Sequence, residues 1–210
     1  MKPKLVIFDF WGTLAYFPMT DLKEFYSSLK DFGIKVKTAK EIKRFSSLFS
    51  KSMCFSENWL DFSQQILEGF VEKPRKEKTK VLSNFLKEKL VFELYDDIKE
   101  ALNLPFKKAI LTNSARLLVE NSGLQASAKI FTPKETKFLK PDKRAFLAVL
   151  RELKAKPEES LMIGDEIERD LIPAQNLGME TILIDRNNSV SEAPMKKIRS
   201  LRELRDILDL

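Results

Sequence analysis

The chain has 210 residues, of which 43% are hydrophobic and 32% charged, a composition typical of a soluble globular protein with one sizeable core. It contains no histidine and one cysteine, which excludes Ser-His-Asp and Cys-His catalysis, imidazole zinc sites and an internal disulfide. No apolar run approaches the roughly 18 residues of a membrane span. We therefore expect no membrane partner. The net charge of +6 comes without a basic tract interleaved with aromatic residues, so we expect no nucleic-acid partner.

The first apolar run begins at Leu5, which leaves no room before it for the apolar region of a signal peptide. Together with the lone Cys54, this predicts a cytoplasmic protein. The oligomeric state cannot be predicted from the sequence.

The N-terminal apolar run ends in a carboxylate. Leu5 to Phe8 are apolar and bounded by polar residues, which predicts a strand buried on both faces. Asp9 follows at once, and a charge at that place is costly unless a metal, a cation or a substrate uses it. Open parallel sheets bind ligands beyond the carboxyl ends of their strands. Asp9 is therefore a candidate nucleophile or metal ligand.

The stretch from Tyr16 to Tyr95 has helical periodicity and no convincing strand. It predicts four amphipathic helices that form a small bundle with an aromatic core. The start and stop signals are Thr20 and Gly33 for the first helix, a Thr38–Glu41 capping box for the second, Ser56 for the third, and Pro74 before the fourth.

From Asp96 onward, helix and strand patterns alternate, which indicates parallel βαβ units. The predicted fold is an α/β protein with a three-layer, doubly wound (Rossmann-like) parallel sheet and a helical bundle inserted after its first strand. Residues 1–15 and 96–210 would form the α/β core, and residues 16–95 the insert. Strands are predicted at 108–112, 129–131, 160–164 and 181–184, and helices at 115–122, 141–154, 167–177 and 200–210.

Polar groups recur where predicted strands end and in the loop before the helix at 141–154. They are Thr112-Asn113, Lys140 before Pro141, and Gly164-Asp165 with Asp170 about one helical turn later. In a parallel sheet the strand ends converge on one side, so we expect one crevice lined by Asp9, Thr112, Lys140, Asp165 and Asp170. A set of oxygen ligands without histidine or spaced cysteines favours Mg²⁺ over zinc.

In this order, the segments resemble the four motifs of the haloacid dehalogenase (HAD) superfamily. The motifs are Asp9-x-x-Gly12-Thr13, Thr112-Asn113, Lys140-Pro141 and Gly164-Asp165-x4-Asp170. The resemblance covers the whole core, and the helical insert lies where the family's helical cap does. It implies a hydrolase that forms a covalent intermediate on an aspartate.

The resemblance also implies a role for each matching residue. Asp9 would be the nucleophile, Thr112 would hydrogen-bond the transferring group, and Lys140 would keep Asp9 ionised and offset transition-state charge. Mg²⁺ would be held by Asp9, Asp165, Asp170 and the backbone carbonyl of Trp11, and Asp170 could instead pair with Lys140. A small anionic substrate, a phosphorylated metabolite or a haloacid, would contact Gly12, Thr13, Asn113 and Arg44.

Trp11 departs from the family pattern. The phosphatases carry a second aspartate here, which protonates the leaving oxygen and then activates water. An indole cannot do this, and losing a general acid–base typically costs about 10²–10⁴ in rate.

Three interpretations stay open. The first and favoured one is a Mg²⁺-dependent phosphatase-type hydrolase for good leaving groups such as acyl or aryl phosphates, because the Asp165/Asp170 pair is intact. The second is C–halogen cleavage, since haloacid dehalogenases carry tyrosine at the Trp11 position; Arg44 is then the candidate halide ligand. The third is a weak or inactive pseudoenzyme that binds a phosphorylated ligand or a partner.

Overall fold

The computed structural model describes residues 2–18 and 21–210, and the chain divides into two compact units. The α/β unit comprises the chain up to Tyr16, Glu93–Asn113 and Ser122–Leu210, and the helical unit comprises Phe17–Phe92 and Ser114–Asn121. The segment Ser114–Asn121, which the sequence placed in the core, thus groups with the helical unit.

The α/β unit contains a six-stranded parallel sheet with helices on both sides. Its strands are β1 (Leu5–Phe8), β4 (Lys107–Leu111), β5 (Lys129–Phe131), β6 (Ser160–Gly164), β7 (Glu180–Ile184) and β8 (Lys196–Ile198), while β2 (Ala15–Tyr16) and β3 (Glu93–Leu94) form a separate antiparallel pair. The strand order is β5-β4-β1-β6-β7-β8, so β1 is central and fully buried. The doubly wound fold predicted from the sequence is confirmed.

The helices have the following bounds. In the helical unit they are α1 (Leu22–Ser28), α2 (Ala39–Phe55), α3 (Trp59–Glu68), α4 (Lys76–Lys89) and α6 (Arg116–Val119), and in the α/β unit α5 (Ile98–Leu102), α7 (Pro133–Thr136), α8 (Lys143–Leu153), α9 (Ile172–Gln175) and α10 (Leu204–Ile207).

The core of the α/β unit lies between the sheet and its helices. Phe146 and Val149 of α8 are fully buried in one cluster with Ile7 of β1 and Met162 of β6. Burying each such side chain contributes about 1.5–3 kcal/mol relative to leaving it exposed. This packing fixes the sheet whose strand ends carry the polar groups.

The helical unit has its own aromatic core. Phe25, Phe45 and Phe62 are buried together with aliphatic side chains of α3 and α4, as the helical periodicity predicts. Gly33 adopts a left-handed conformation and ends the turn that follows α1. Within the described residues, no helix has both the length and the apolar character needed to cross a bilayer.

The helix-start signals have mixed outcomes. The Thr38–Glu41 capping box is present at the start of α2, whereas Thr20 lies outside the described residues, and α1 is capped by Asp21. Ser56 was the wrong start for the third helix, because it is the C-cap of α2 and Asn58 caps α3 by accepting from Asp61 N at 2.9 Å.

Several other boundaries predicted from the sequence were wrong. β3 lies inside the stretch predicted to hold no strand, and β8 was not predicted because only Ile198 of its three residues is buried. The predicted helix at 167–177 is a π-helical segment, Ile167–Leu171, followed by α9; Pro173 has no N–H with which to continue regular α-helical bonding. The C-terminal helix is reduced to α10 after a 3₁₀ turn at Leu201–Glu203.

Candidate active site

Three carboxylates meet at one edge of the sheet. Asp9 follows β1, Asp165 follows β6, and Asp170 lies in the π-helical segment after β6. β1 and β6 are adjacent parallel strands, so their carboxyl ends reach the same edge. One oxygen from each of the three side chains lies within 4.8 Å of the others. The structure therefore brings together the three acids that the sequence predicted to converge.

Lys140 lies between two of these acids. Its Nζ is 2.5 Å from Asp9 Oδ1 and 2.6 Å from Asp170 Oδ1, and its side chain is 2% exposed. Burial alone would lower the pKa of Lys140, but the charges of Asp170 and Asp9 outweigh this and raise that pKa above its usual value. Lys140 is therefore a buried ammonium with two carboxylate partners.

The cluster carries excess negative charge, because three carboxylates face one ammonium. Burial raises the pKa of Asp9, and Lys140 opposes the rise. Burial and the neighbouring Asp170 raise the pKa of Asp165 to about 6, and burial together with Asp9 raises the pKa of Asp170 to about 6. Such shifts mark carboxylates that lack sufficient positive charge around them.

The donor set fits a Mg²⁺ ion. Asp165 Oδ1 is buried and accepts no hydrogen bond from any described residue, although buried polar atoms normally have a partner. The three acids supply only oxygen ligands, and when they are ionised the net charge of the cluster with Lys140 is −2. Mg²⁺ prefers carboxylate oxygens and supplies two positive charges. Asp9, Asp165 and Asp170 are the residues that would hold it.

Two glycines let the backbone approach the acids. A Cβ at Gly12, whose φ is +72°, would overlap the Asp165 carboxylate, and a Cβ at Gly164 would lie 2.7 Å from Asp170 Cβ. Real Cβ atoms essentially never come that close, so any larger residue would displace the acids. Gly12 therefore fixes how closely the turn after β1 packs on Asp165.

Comparison with known families identifies the family of the chain. The family model of the haloacid dehalogenase-like hydrolases matches residues 3–178, which span all four motifs. The chain belongs to this family. The resemblance predicted from the sequence is thereby confirmed.

Curated relatives of this HAD-like hydrolase match over shorter segments. The chain is 38% identical over 65 residues to a glyceraldehyde 3-phosphate phosphatase from Methanothermobacter thermautotrophicus, covering 31% of this chain and 28% of that protein. It is 33% identical over 97 residues to the pyrophosphatase PpaX from Bacillus cereus, covering 43% and 44%. The matches thus span less than half the length of these relatives.

Solved structures resemble the HAD-like hydrolase along nearly its whole length. A HAD phosphatase from Thermococcus onnurineus has a TM-score of 0.69 at 24% identity and covers 98% of this chain and 97% of its own. The structure of the HAD-hydrolase YfnB from Bacillus subtilis, bound to magnesium, has a TM-score of 0.69 at 21% identity, and the match covers 100% of both chains. A 2-haloacid dehalogenase from Pseudomonas syringae has a TM-score of 0.69 at 18% identity, and the match covers 99% of this chain and 98% of that one. At these identities the likeness establishes the fold.

Trp11 lies in the turn between Asp9 and Gly12 of the hydrolase. The residue is partly buried, forms an isolated bridge with Ala15, and packs edge-on against the Phe10 ring at a centroid distance of 4.8 Å. An indole N–H does not release its proton at neutral pH. The residue at position 11 of this HAD-like hydrolase therefore supplies no general acid.

Thr112 and Asn113 follow β4, the neighbour of β1. Thr112 is buried, and its N–H donates to Phe131 O at 3.0 Å. Asn113 Nδ2 donates to Lys140 O at 2.9 Å, while Asn113 Oδ1 accepts from Lys140 N at 2.7 Å. The Asn113 amide thus fixes the main chain that carries the buried ammonium. A substrate contact by Asn113 stays a prediction.

Arg44 belongs to the helical unit. Its guanidinium donates to the Gly69 carbonyl and lies 5.0 Å from the centre of the Phe70 ring. These contacts tie α2 to the segment after α3. The role of Arg44 in binding substrate or halide stays a prediction.

Arg186 contacts the turn after Asp9 and was missed from the sequence. Its Nε donates to Gly12 O at 3.2 Å, and its Nη2 donates to Thr13 O at 2.6 Å. Arg186 comes two residues after β7, so the signal that identified Asp9, a charge beyond a buried strand, could have identified it too. Thr13 Oγ1 is buried and has no hydrogen-bond partner among the described residues.

Proposed function

We propose that this HAD-like hydrolase is a Mg²⁺-dependent phosphatase that acts through an aspartyl-phosphate intermediate on Asp9. The supporting observation is the cluster of Asp9, Asp165 and Asp170, in which the buried Lys140 ammonium pairs with Asp9 and Asp170. A dehalogenation site has no need of a divalent cation, whereas a cation held by these carboxylates would offset the negative charge of a phosphoryl group.

Asp9 would attack phosphorus with a carboxylate oxygen, and the bond from phosphorus to the leaving oxygen would break. Lys140 would restrain Asp9 through Oδ1 and offset charge that develops on the transferring group. Water would then cleave the acyl phosphate, which releases phosphate and restores the carboxylate. Asp165 and Asp170, with Asp9, would hold Mg²⁺, which would supply positive charge to offset that of the phosphate.

The substrate class follows from Trp11. Because position 11 offers no proton, the leaving oxygen would depart as an anion or take a proton from solvent. This limits efficient turnover to acyl phosphates, aryl phosphates and other phosphates with acidic leaving groups. The assignment of residues 16–95 as a substrate-selecting cap, and of the protein to the cytoplasm, stays a prediction.

Trp11 also favours a second candidate, hydrolysis of a haloacid. A halide leaves without a proton, so an aromatic side chain at position 11 is compatible with C–halogen cleavage at Asp9. Arg44 would then be the halide ligand. The acidic cluster counts against this candidate, because carbon–halogen cleavage requires no divalent cation.

One assay separates the candidates. The purified protein is incubated with p-nitrophenyl phosphate, acetyl phosphate or 2-chloropropionate, in Mg²⁺ or in EDTA, beside Asp9→Asn. We expect phosphate release that needs Mg²⁺ and disappears in Asp9→Asn. Chloride release in EDTA would establish the dehalogenase instead. No release from the wild type, together with phosphate release from Trp11→Asp, would identify a pseudoenzyme.

A further inference from the structure

The turn that follows Asp9 accepts two hydrogen bonds from Arg186, a residue far along the chain. Within the turn, Gly12 N donates to Ala15 O at 2.8 Å, and Leu14 N and Ala15 N both donate to Phe10 O, at 2.8 and 2.9 Å. The carbonyls of Gly12 and Thr13 take part in none of these bonds. Both accept from Arg186 instead.

We propose that Arg186 is a positioning residue that fixes the turn of residues 11–13 against the acidic cluster, with Asp97 and Tyr95 fixing Arg186. The consequence for metal binding rests on the proposed function, whereas the effect on the turn does not.

Asp97 orients the guanidinium. Arg186 Nη1 and Nη2 each lie 3.0 Å from an oxygen of Asp97, a two-point pairing that sets the plane of the guanidinium as well as its position. Asp97 also accepts from Ser200 Oγ at 2.7 Å and Leu201 N at 2.9 Å. With its side chain 1% exposed, Asp97 has no room to rotate away.

Tyr95 covers the guanidinium from one face. The Arg186 Cζ lies 3.5 Å from the centre of the Tyr95 ring, well within the roughly 6 Å of a cation–π contact. Ring, carboxylate and two carbonyls together surround Arg186, whose side chain is 14% exposed. Asp97 and Tyr95 therefore hold the guanidinium in the orientation in which it donates to the turn.

The turn of residues 11–13 packs directly against the acidic cluster. Gly12 packs so closely on Asp165 that a Cβ there would overlap its carboxylate. Any movement of the Gly12 backbone toward Asp165 must therefore displace one of the three acids. In this way Arg186 acts on the cluster through Gly12, without being a ligand or a catalytic group.

A purely structural role makes a different prediction. If Arg186 and Asp97 only join distant segments of the chain, replacing Arg186 lowers the melting temperature but leaves the turn and metal affinity of the folded protein unchanged. The control for such a loss is Arg202→Met, because Arg202 pairs with the neighbouring Asp96 at 3.0 Å and, in the described part of the chain, neither residue forms a hydrogen bond or an ion pair with the turn.

The chain offers a reporter within the turn itself. It has two tryptophans, and Trp59 packs against Phe62 in the helical unit, so Trp59→Phe leaves Trp11 as the sole indole. In that parent we would compare Arg186→Met, Arg186→Lys and Arg202→Met. The readouts are acrylamide quenching of Trp11 in EDTA and the Mn²⁺ dissociation constant, obtained by counting free Mn²⁺ with electron paramagnetic resonance.

We expect Arg186→Met to increase the quenching constant of Trp11 at least about twofold and to weaken Mn²⁺ binding about 10-fold or more, as loss of a supporting contact does at metal sites. Arg186→Lys keeps the charge but not the planar fork, so its values should fall between parent and Arg186→Met. Arg202→Met should match the parent in both.

Unchanged quenching in folded Arg186→Met overturns the proposal, and so does an equal increase in Arg202→Met. If Arg186→Met does not fold, Arg186→Lys decides by the same two readouts. A parent that binds no Mn²⁺, yet shows the increased quenching in Arg186→Met, supports the positioning role and overturns the metal dependence of the proposed function.

Discussion

Asp9 and Asp170 share a single buried ammonium, because Nζ of Lys140 lies 2.5 Å from Asp9 Oδ1 and 2.6 Å from Asp170 Oδ1. Asp170 is fully buried, and Asp9 nearly so. Neither carboxylate has enough solvent around it to compensate for the loss of this cation. The same lysine thus stabilises the fold at the strand ends and sets the charge of the proposed nucleophile.

Lys140→Met tests this double role. Removing one partner of a buried ion pair costs about 3–5 kcal/mol, so we expect a loss of about 3 kcal/mol in the free energy of unfolding, measured with urea in EDTA. Phosphatase activity should fall at least about 10²-fold, since a cation that offsets transition-state charge is lost.

Lys108→Met is the matched control. Lys108 is a half-buried residue of β4 in the same sheet, and among the described residues its Nζ donates to the carbonyls of Leu104 and Phe106 alone, at 2.7 and 2.9 Å. Its loss should cost about 1 kcal/mol and leave activity unchanged. Equal losses of stability and activity in the two variants would contradict a special role for Lys140.

Gly12→Ala and Gly123→Ala separate backbone strain from contact with the acids. Both glycines have φ near +70°, at +72° and +73°, but a Cβ at Gly123 would meet nothing within 4 Å. Each substitution carries the left-handed penalty of about 1–2 kcal/mol. Only Gly12→Ala should also weaken Mn²⁺ binding in a calorimetric titration, because only there does the methyl group displace Asp165. Weakened binding in Gly123→Ala would show that strain alone is responsible.

Asp97→Asn should change how stability depends on pH. Burial by itself raises the pKa of Asp97, but hydrogen bonds from Arg186, Ser200 and Leu201 outweigh it and hold that pKa below its usual value. A carboxyl whose pKa is lower in the folded state stabilises the fold above its unfolded pKa, and this contribution is lost as the pH falls through the folded value.

Urea unfolding between pH 7 and pH 3 measures this effect. The wild type should be more stable than Asp97→Asn at pH 7, and the difference should shrink below about pH 4. Asp96→Asn is the control, because Asp96 is 82% exposed and surface pairs contribute little. If the difference in the free energy of unfolding between the wild type and Asp97→Asn stays constant with pH, the pKa of Asp97 is not lowered in the folded protein.

The parts of the fold that the sequence predicted are those set by local burial. Leu5–Phe8 and Ser160–Gly164 are buried at every residue, and such apolar runs identify strands without knowledge of their neighbours. Asp9 and Asp165 stand immediately after these runs. Once both strands are taken as parallel, the meeting of their carboxylates follows from topology alone.

What the sequence did not predict depends on partners far along the chain. β8 begins with two lysines and carries one buried residue, Ile198, so it pairs because of β7 and not because of its own pattern. Arg186 reaches back to Gly12 and Asp97, and no spacing rule links those positions. Ser56 and Asn58 are both good N-cap residues, so the sequence does not decide between them. Asn58 caps α3 because α2 extends to Phe55 and makes Ser56 its C-cap.

The leaving group should control the rate of the wild type because Trp11 contributes no proton. Across p-nitrophenyl, phenyl and benzyl phosphate, we expect kcat/KM to fall at least about 10²-fold from the first to the last, the lower bound of what a general acid normally supplies. Trp11→Asp restores a carboxyl between Asp9 and Gly12, so its rates should vary far less along the series. Trp11→Phe removes the indole without adding a proton donor and should keep the steep dependence. If the wild type and Trp11→Asp show the same dependence, a proton reaches the leaving oxygen from another residue, and the restriction to acyl and aryl phosphates no longer holds.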